Sequence, residues 1–261
     1  MGPYNEAQHF KVQTSAVADF TADYTILLWV YLPSNFTKGS WVTAFSIAHQ
    51  DVGDDDRWVR LSVTPGTVGV MSWDFLNNTD WVDPYRYYYE HPGPVLLGQW
   101  NLMGITCARV GAEMYPELWL NNVVYVPELK MPTTIGLTGS GVYTALGGHY
   151  NNEGAVTYDF PGCFLAAGIW NRILTDHAEL PRIYNRRDKF SIYTDGLSHC
   201  WEERTGASGD GDLIDSAGSL TLGEIGAVPN NPDIPSRYGP EFFGGHLGGN
   251  YYGHGRSIPP T

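Results

Sequence analysis

Eight consecutive residues, CFLAAGIW at 163–170, carry neither a charge nor an amide. Side chains of a β-strand point alternately to opposite faces, so a half-buried strand alternates apolar with polar residues. This run does not alternate, and an apolar strip left open to water invites association. Any fold that contains it must cover both of its faces, one with a facing sheet and the other with a further layer. The sequence offers three suppliers for that second cover: strands within 196–228, the C-terminal segment or a neighbouring chain. Of these, the C-terminal segment leads.

Other short apolar runs point to many strands joined by turns. YTILLWVYL (24–32) reads as a central strand buried on both faces. WVRLSVT (58–64) and TVGVMSW (67–73) flank Pro65-Gly66, a two-residue hairpin signal, and PELWLNNVVYV (116–126) repeats the device around Asn121-Asn122, which tolerate positive φ. VLLGQWNLMGITCARV (95–110) holds a glycine turn and then a strand, while YTALGGHY (143–150) is a short strand ending in a glycine pair. One helix start is visible: Asp176 as cap, with Glu179 completing a capping box, ahead of an apolar stripe of Leu180, Ile183 and Tyr184. Residues 196–228 offer two further strands around a Gly/Asp loop. With 31 glycines and 17 prolines in 261 residues and few helix-period runs, the pattern predicts an all-β antiparallel sandwich with one short helix. Its expected extent is 1–228. Residues 229–261 have no apolar period and too little core of their own, so they are expected to form an extended Gly/Pro/aromatic arm carrying Phe242, Phe243, Tyr251 and Tyr252.

Charge and cysteine usage remove several functions. A net charge of −13 repels phosphate backbones, which argues against nucleic acid as a partner. Cys107, Cys163 and Cys200 are too far apart for a zinc motif and read as buried thiols. No apolar stretch approaches the roughly 18 residues of a membrane span, so membrane insertion is not expected. The N-terminus lacks the basic and apolar pattern of a signal peptide, which suggests synthesis in a cytoplasm.

The order of several segments resembles the laminin-G-like jelly roll, a branch of the concanavalin A-like lectin and glucanase superfamily. The segments are TILLWVYL, GQWNLMGITC, ELWLNN, ALGGHY and FPGCFLAAGIWNRILTDHAEL, over about residues 10–190. GLSHCWEERTGASGDGDLIDSAGSLTL resembles a strand pair that accompanies such modules and closes the sandwich edge. The resemblance implies a jelly-roll β-sandwich, often with calcium at its rim. Two departures matter. Leu165 and Ala166 stand where acidic residues are usual, and Glu179 lies four residues after Thr175, so Asp176 is expected to take the cap.

Superfamily glucanases carry paired carboxylates on one strand as E-x-D-x-x-E, one as nucleophile and one as acid/base. No such run occurs, and neither HExxH, GxSxG nor a phosphate-binding loop is present, so no catalytic residue is assigned. HQDVGDDDRW (49–58) gathers Asp51, Asp54, Asp55 and Asp56, hard oxygen ligands suited to calcium or, equally, to a solvated turn. Asp210, Asp212 and Asp215 form a weaker acidic set at 208–218. WDFLNNTDWVDPYRYYYEHPG (73–93) mixes Trp73, Trp81, Tyr85 and Tyr87 with Asn77 and Asn78. Flat rings for the C–H face of a sugar and amides for its hydroxyls make a saccharide site, although the same residues also suit a protein contact or internal packing.

Two functions follow as expectations. The first is a non-enzymatic structural or decorating protein of a larger assembly, a phage or virus-like particle made in a host cytoplasm, with capacity for glycan binding. Its partners would be copies of itself or a capsid or scaffold protein, and its interface would be Leu165 and Ala166 with the arm aromatics. The alternative is a secreted or cell-surface, calcium-dependent carbohydrate-binding module.

Overall fold

A computed structural model of the chain describes residues 9–13, 20–36, 41–49, 57–64, 69–76, 86–128, 131–132, 142–150, 156–157, 160–175, 178–186, 188–204 and 212–225. Asp51, Asp54, Asp55, Asp56, Asn77, Asn78, Trp81, Tyr85, Asp176, Asp210 and the segment 229–261 with Phe242, Phe243, Tyr251 and Tyr252 lie outside the described residues.

Two antiparallel sheets face each other. The first runs β17 (Gly223–Ile225), β1 (His9–Gln13), β11 (Val142–Leu146), β3 (Val42–His49), β4 (Arg57–Val63), β5 (Val70–Leu76), β6 (Arg86–Pro94). The second runs β10 (Met131–Pro132), β8 (Glu113–Leu120), β7 (Trp100–Val110), β2 (Tyr24–Tyr31), β14 (Cys163–Trp170), β15 (Leu197–Arg204), β16 (Leu213–Asp215), with β9 (Val123–Tyr125) also paired to β8. A small hairpin joins β12 (His149–Tyr150) to β13 (Val156–Thr157). The jelly-roll expectation holds, and the strands of 196–228 do close an edge. β15 and β16 extend the second sheet, while β17 pairs with β1 on the first.

Between the sheets, Ile26, Leu28, Val30, Met103 and Ile105 of the second sheet pack with Phe45, Ile47, Val59, Leu61 and Met71 of the first. This packing sets the register of the β4–β5 hairpin. Leu61 lies opposite Trp73 and Val63 opposite Met71, so the strands close at the Thr64 to Val70 backbone bond of 2.9 Å. Pro65 and Gly66, expected as a two-residue turn, lie outside the described residues. The β8–β9 turn is as tight as expected: Leu120 pairs with Val123, and Asn121 adopts φ 58°.

β14 has its second face covered by the chain's own next segment. Helix α1 (Glu179–Arg186) and a 3₁₀ turn at Phe190–Ile192 follow β14 directly. Leu180, Ile183, Tyr184, Phe190 and Tyr193 pack on Leu27, Trp29, Ala166, Trp170 and Cys200. Tyr184 stacks on Trp29 with ring centroids 6.1 Å apart, and Trp170 Nε1 donates to the Tyr193 carbonyl at 2.8 Å. Gly168 makes room for this layer, since a Cβ there would lie 2.5 Å from the Trp170 ring. A register shift between Phe164 and Ala166 turns Leu165 and Ala166 to the same outer side. Ala166 is 3% exposed and Leu165 packs against the same cluster, so their apolar character is accounted for inside one chain. The C-terminal segment, expected as their leading cover, lies outside the described residues.

At the helix start, Glu179 accepts from the Thr175 backbone N–H at 3.0 Å, and the Thr175 carbonyl accepts from the amides of Glu179 and Leu180. Arg172 grips the same carboxylate with two nitrogens, at 2.8 and 2.6 Å. This fork–fork pair holds the Glu179 carboxyl below its usual range and ties the end of β14 to α1. No helix among the described residues is long and apolar enough to cross a membrane.

Candidate functional site

The outer face of the first sheet is built differently. On β4 the residues alternating with Val59, Leu61 and Val63 are Trp58, Arg60 and Ser62. On β5 those alternating with Met71 and Trp73 are Ser72 and Asp74. Arg60 and Asp74 are direct cross-strand partners, 3% and 0% exposed. Arg60 Nε donates to Asp74 Oδ2 at 2.9 Å, and Nη2 donates to the same oxygen. The guanidinium carbon lies 5.6 Å from the centre of the Trp41 ring and 5.4 Å from that of Trp58, within cation–π range. Trp41 in turn meets Tyr88 of β6 edge to face at 5.3 Å.

Hydroxyl groups continue the layer. Thr43 and Ser62 share a hydrogen bond of 3.1 Å, and Ser46 Oγ donates to the Gly148 carbonyl at 2.8 Å, next to β12. Tyr88 donates to Glu90 Oε1, and burial followed by the Glu90 contact pushes its phenol well above the ordinary range. Tyr88 is thus a hydrogen-bond donor at every physiological pH. The centre of the face is closed to water, while Trp41, Tyr88 and Tyr143 are part exposed and Glu90 is open. Such a strip offers ring surface and a carboxylate acceptor side by side.

His49 pairs with Arg57, Trp58 with Leu76, and Leu76 with Arg86, so the ends of β3 and β5 and the starts of β4 and β6 lie at one end of the sheet. The candidates between those strands, Asp51, Asp54, Asp55, Asp56, Asn77, Asn78, Trp81 and Tyr85, are outside the described residues. One other candidate does not reach the surface, and a second is only part exposed. Trp73 is 0% exposed and packs between the sheets with Tyr24, ring centroids 6.5 Å apart, so it has no face to offer a sugar. Its alternation with Asp74 put it inward. Tyr87 also packs against the inter-sheet core. Trp41, Trp58, Arg60, Asp74 and Glu90 were missed, although the alternation W-V-R-L-S on β4 opposite S-W-D on β5 already marked a polar outer face.

Asp215 has a structural task. Its carboxylate accepts from the amides of Cys200, Gly218 and Leu220 at 2.9, 2.9 and 3.1 Å and contacts His199 Nδ1 at 2.6 Å. Burial opposes its ionisation, but His199 and the amides outweigh that and hold its pKa at about 2. Gly218 is required here, because a Cβ would lie 2.5 Å from that carboxylate. Glu202 plays a similar part, accepting from the Phe190 amide at 2.6 Å and from Ser191 Oγ at 2.8 Å. Among the described residues no three His, Cys, Asp or Glu side chains gather as metal ligands. Burial raises the thiols of Cys107 and Cys200 to about 12, which leaves both unreactive.

No family model matches the chain, and no curated protein matches it in sequence. Solved structures do match in shape. A protein of Bacteroides ovatus provisionally described as carbohydrate-binding superposes with a TM-score of 0.56 at 14% identity, over 88% of this chain and 60% of that one. The CBM40 domain of the Ruminococcus gnavus IT-sialidase, bound to α2,3-sialyllactose, gives 0.49 at 18% identity over 69% of this chain and 98% of its own. A heptameric SAP-like pentraxin from Limulus polyphemus gives 0.47 at 15% identity, covering 70% and 77%. At these identities the likeness is one of fold, a jelly-roll β-sandwich.

Proposed function

We propose that this protein is a non-enzymatic glycan-binding β-sandwich whose site lies on the outer face and adjoining end of the first sheet. The observation that carries this reading is the grouping of Trp41, Tyr88 and Glu90 around the Arg60–Asp74 pair. Part-exposed rings suit the apolar face of a sugar ring, and an oriented carboxylate suits its hydroxyls. The carboxylate at the centre, Asp74, is buried against Arg60 and is not available as nucleophile or proton donor, which supports binding without hydrolysis. Segment 77–85 would add Asn77, Asn78, Trp81 and Tyr85 to the same end. A calcium ion held by Asp51, Asp54, Asp55 and Asp56 belongs to this reading. It should raise the melting temperature, with chelator reversing the rise, and an unchanged melting temperature removes it. The main test is a glycan array. Wild-type protein should give discrete hits that Tyr88→Ala and Trp81→Ala weaken, and a folded protein with no hits would refute the reading. A secreted or cell-surface setting suits this activity.

A second reading, a subunit of a larger assembly such as a virion, is favoured by one observation. The edge strand β9 exposes Val123 and Val124, and Val126 beyond it is 60% exposed. Unpaired apolar edges promote association. The full chain should then sediment as a discrete oligomer that a chain ending at 228 no longer forms, and a monomer in both forms refutes it.

A further inference from the structure

We propose that the outer face of the first sheet selects neutral, hydroxyl-rich saccharides and discriminates against sialylated or sulfated ones. This rests on the glycan-binding reading above. Recognition of a sugar carboxylate or sulfate by a guanidinium needs the N–H fork turned to the ligand. Arg60 sits at the centre of the face, yet its Nε and Nη2 are committed to Asp74 and two indole rings lie against it. With 3% exposure it is a structural cation that holds Trp41 and Trp58 in place, not an anion receptor.

Charge balance points the same way. Asp74 cancels Arg60, which leaves the exposed Glu90 carboxylate as the uncompensated charge among the described side chains of this face. The chain as a whole carries −13. An anionic sugar arriving at Trp41 and Tyr88 would meet a like charge at contact distance, a repulsion that disfavours the wrong partner strongly. A neutral sugar meets the opposite situation. Its C–H face can lie on the part-exposed rings of Trp41 and Tyr88, and its hydroxyls can donate to Glu90, whose carboxylate the Tyr88 hydroxyl already orients.

The test is an array in which each neutral glycan is paired with its sialylated and sulfated forms, probed with the full chain. Neutral members should bind, and a terminal sialic acid or sulfate should weaken binding roughly tenfold or more. Glu90→Gln should narrow that gap by roughly two- to fivefold, since it removes the repelling charge and keeps a hydrogen-bonding group. Equal or tighter binding of the charged members overturns the inference and leaves glycan binding intact. Folded protein that binds neither set overturns both.

Discussion

The two outer faces of the sandwich meet the same geometric problem with opposite chemistry. On the second sheet, Leu27, Trp29, Ala166 and Trp170 form an apolar layer that α1 and the 3₁₀ turn cover. On the first sheet, Thr43, Ser46, Arg60, Ser62, Ser72 and Asp74 form a polar layer with its hydrogen bonds made along the face and aromatic residues at its margin. The apolar face is closed by local chain and gains stability from burial. The polar face carries an ion pair whose desolvation offsets much of its attraction, a poor way to gain stability alone. What it supplies is fixed placement of two tryptophans beside groups that reach solvent. The comparison therefore assigns stability to the apolar face and leaves the polar face to the recognition proposed for it.

The largest expected effect comes from breaking the polar face at its centre. Asp74→Ala should cost about 3–5 kcal/mol in denaturant unfolding, because it strands Arg60 without its partner. The double variant Arg60→Met/Asp74→Leu should recover much of that stability but not glycan binding. If the double variant is as unstable as the single, the pair contributes more to the fold than the contrast allows. Next in size, Ile183→Ala opens a void under α1 and should cost about 2–5 kcal/mol while leaving affinity for any glycan unchanged. A loss of binding in that variant would mean that the two faces are coupled.

A smaller effect should appear in acid. The folded pKa of Asp215 is lowered to about 2, so its contribution is present above the ordinary carboxylate range and fades as pH falls through that value. Asp215→Asn should cost on the order of 2 kcal/mol near neutral pH, and the difference from wild type should close towards pH 2. Glu179, lowered by Arg172, adds to acid loss in the same direction. The smallest change is Tyr88→Phe. It removes one hydroxyl from the margin, should shift stability by less than about 1 kcal/mol, and should still weaken binding if the hydroxyl orients Glu90.

Much of the fold could be read from local pattern. The runs at 24–32, 95–110 and 116–126 become β2, β7 and the β8–β9 hairpin because alternation and turn residues act over a few neighbours. The site was less legible. Trp73 stood out by residue type, yet its place between Ser72 and Asp74 turned it into the core, and the same alternation turned the useful Asp74 outward. Trp41 precedes β3 and reaches Tyr88 of β6 only because three intervening strand pairings fold the sheet beneath it.

The sequence by itself determined that this chain is a sandwich of short antiparallel strands and that CFLAAGIW needs cover on both faces. Those are consequences of period and burial, which each segment expresses alone. Only the tertiary structure decided what provides the cover and where the polar face lies. A strand's pattern records that a neighbour must be apolar or polar, but not which segment arrives. Here α1 and the 3₁₀ turn, which follow β14 in the chain, pack on its outer face and bury Trp29 and Trp170. Arg60 meets Asp74 because inter-sheet packing sets the register that places them side by side.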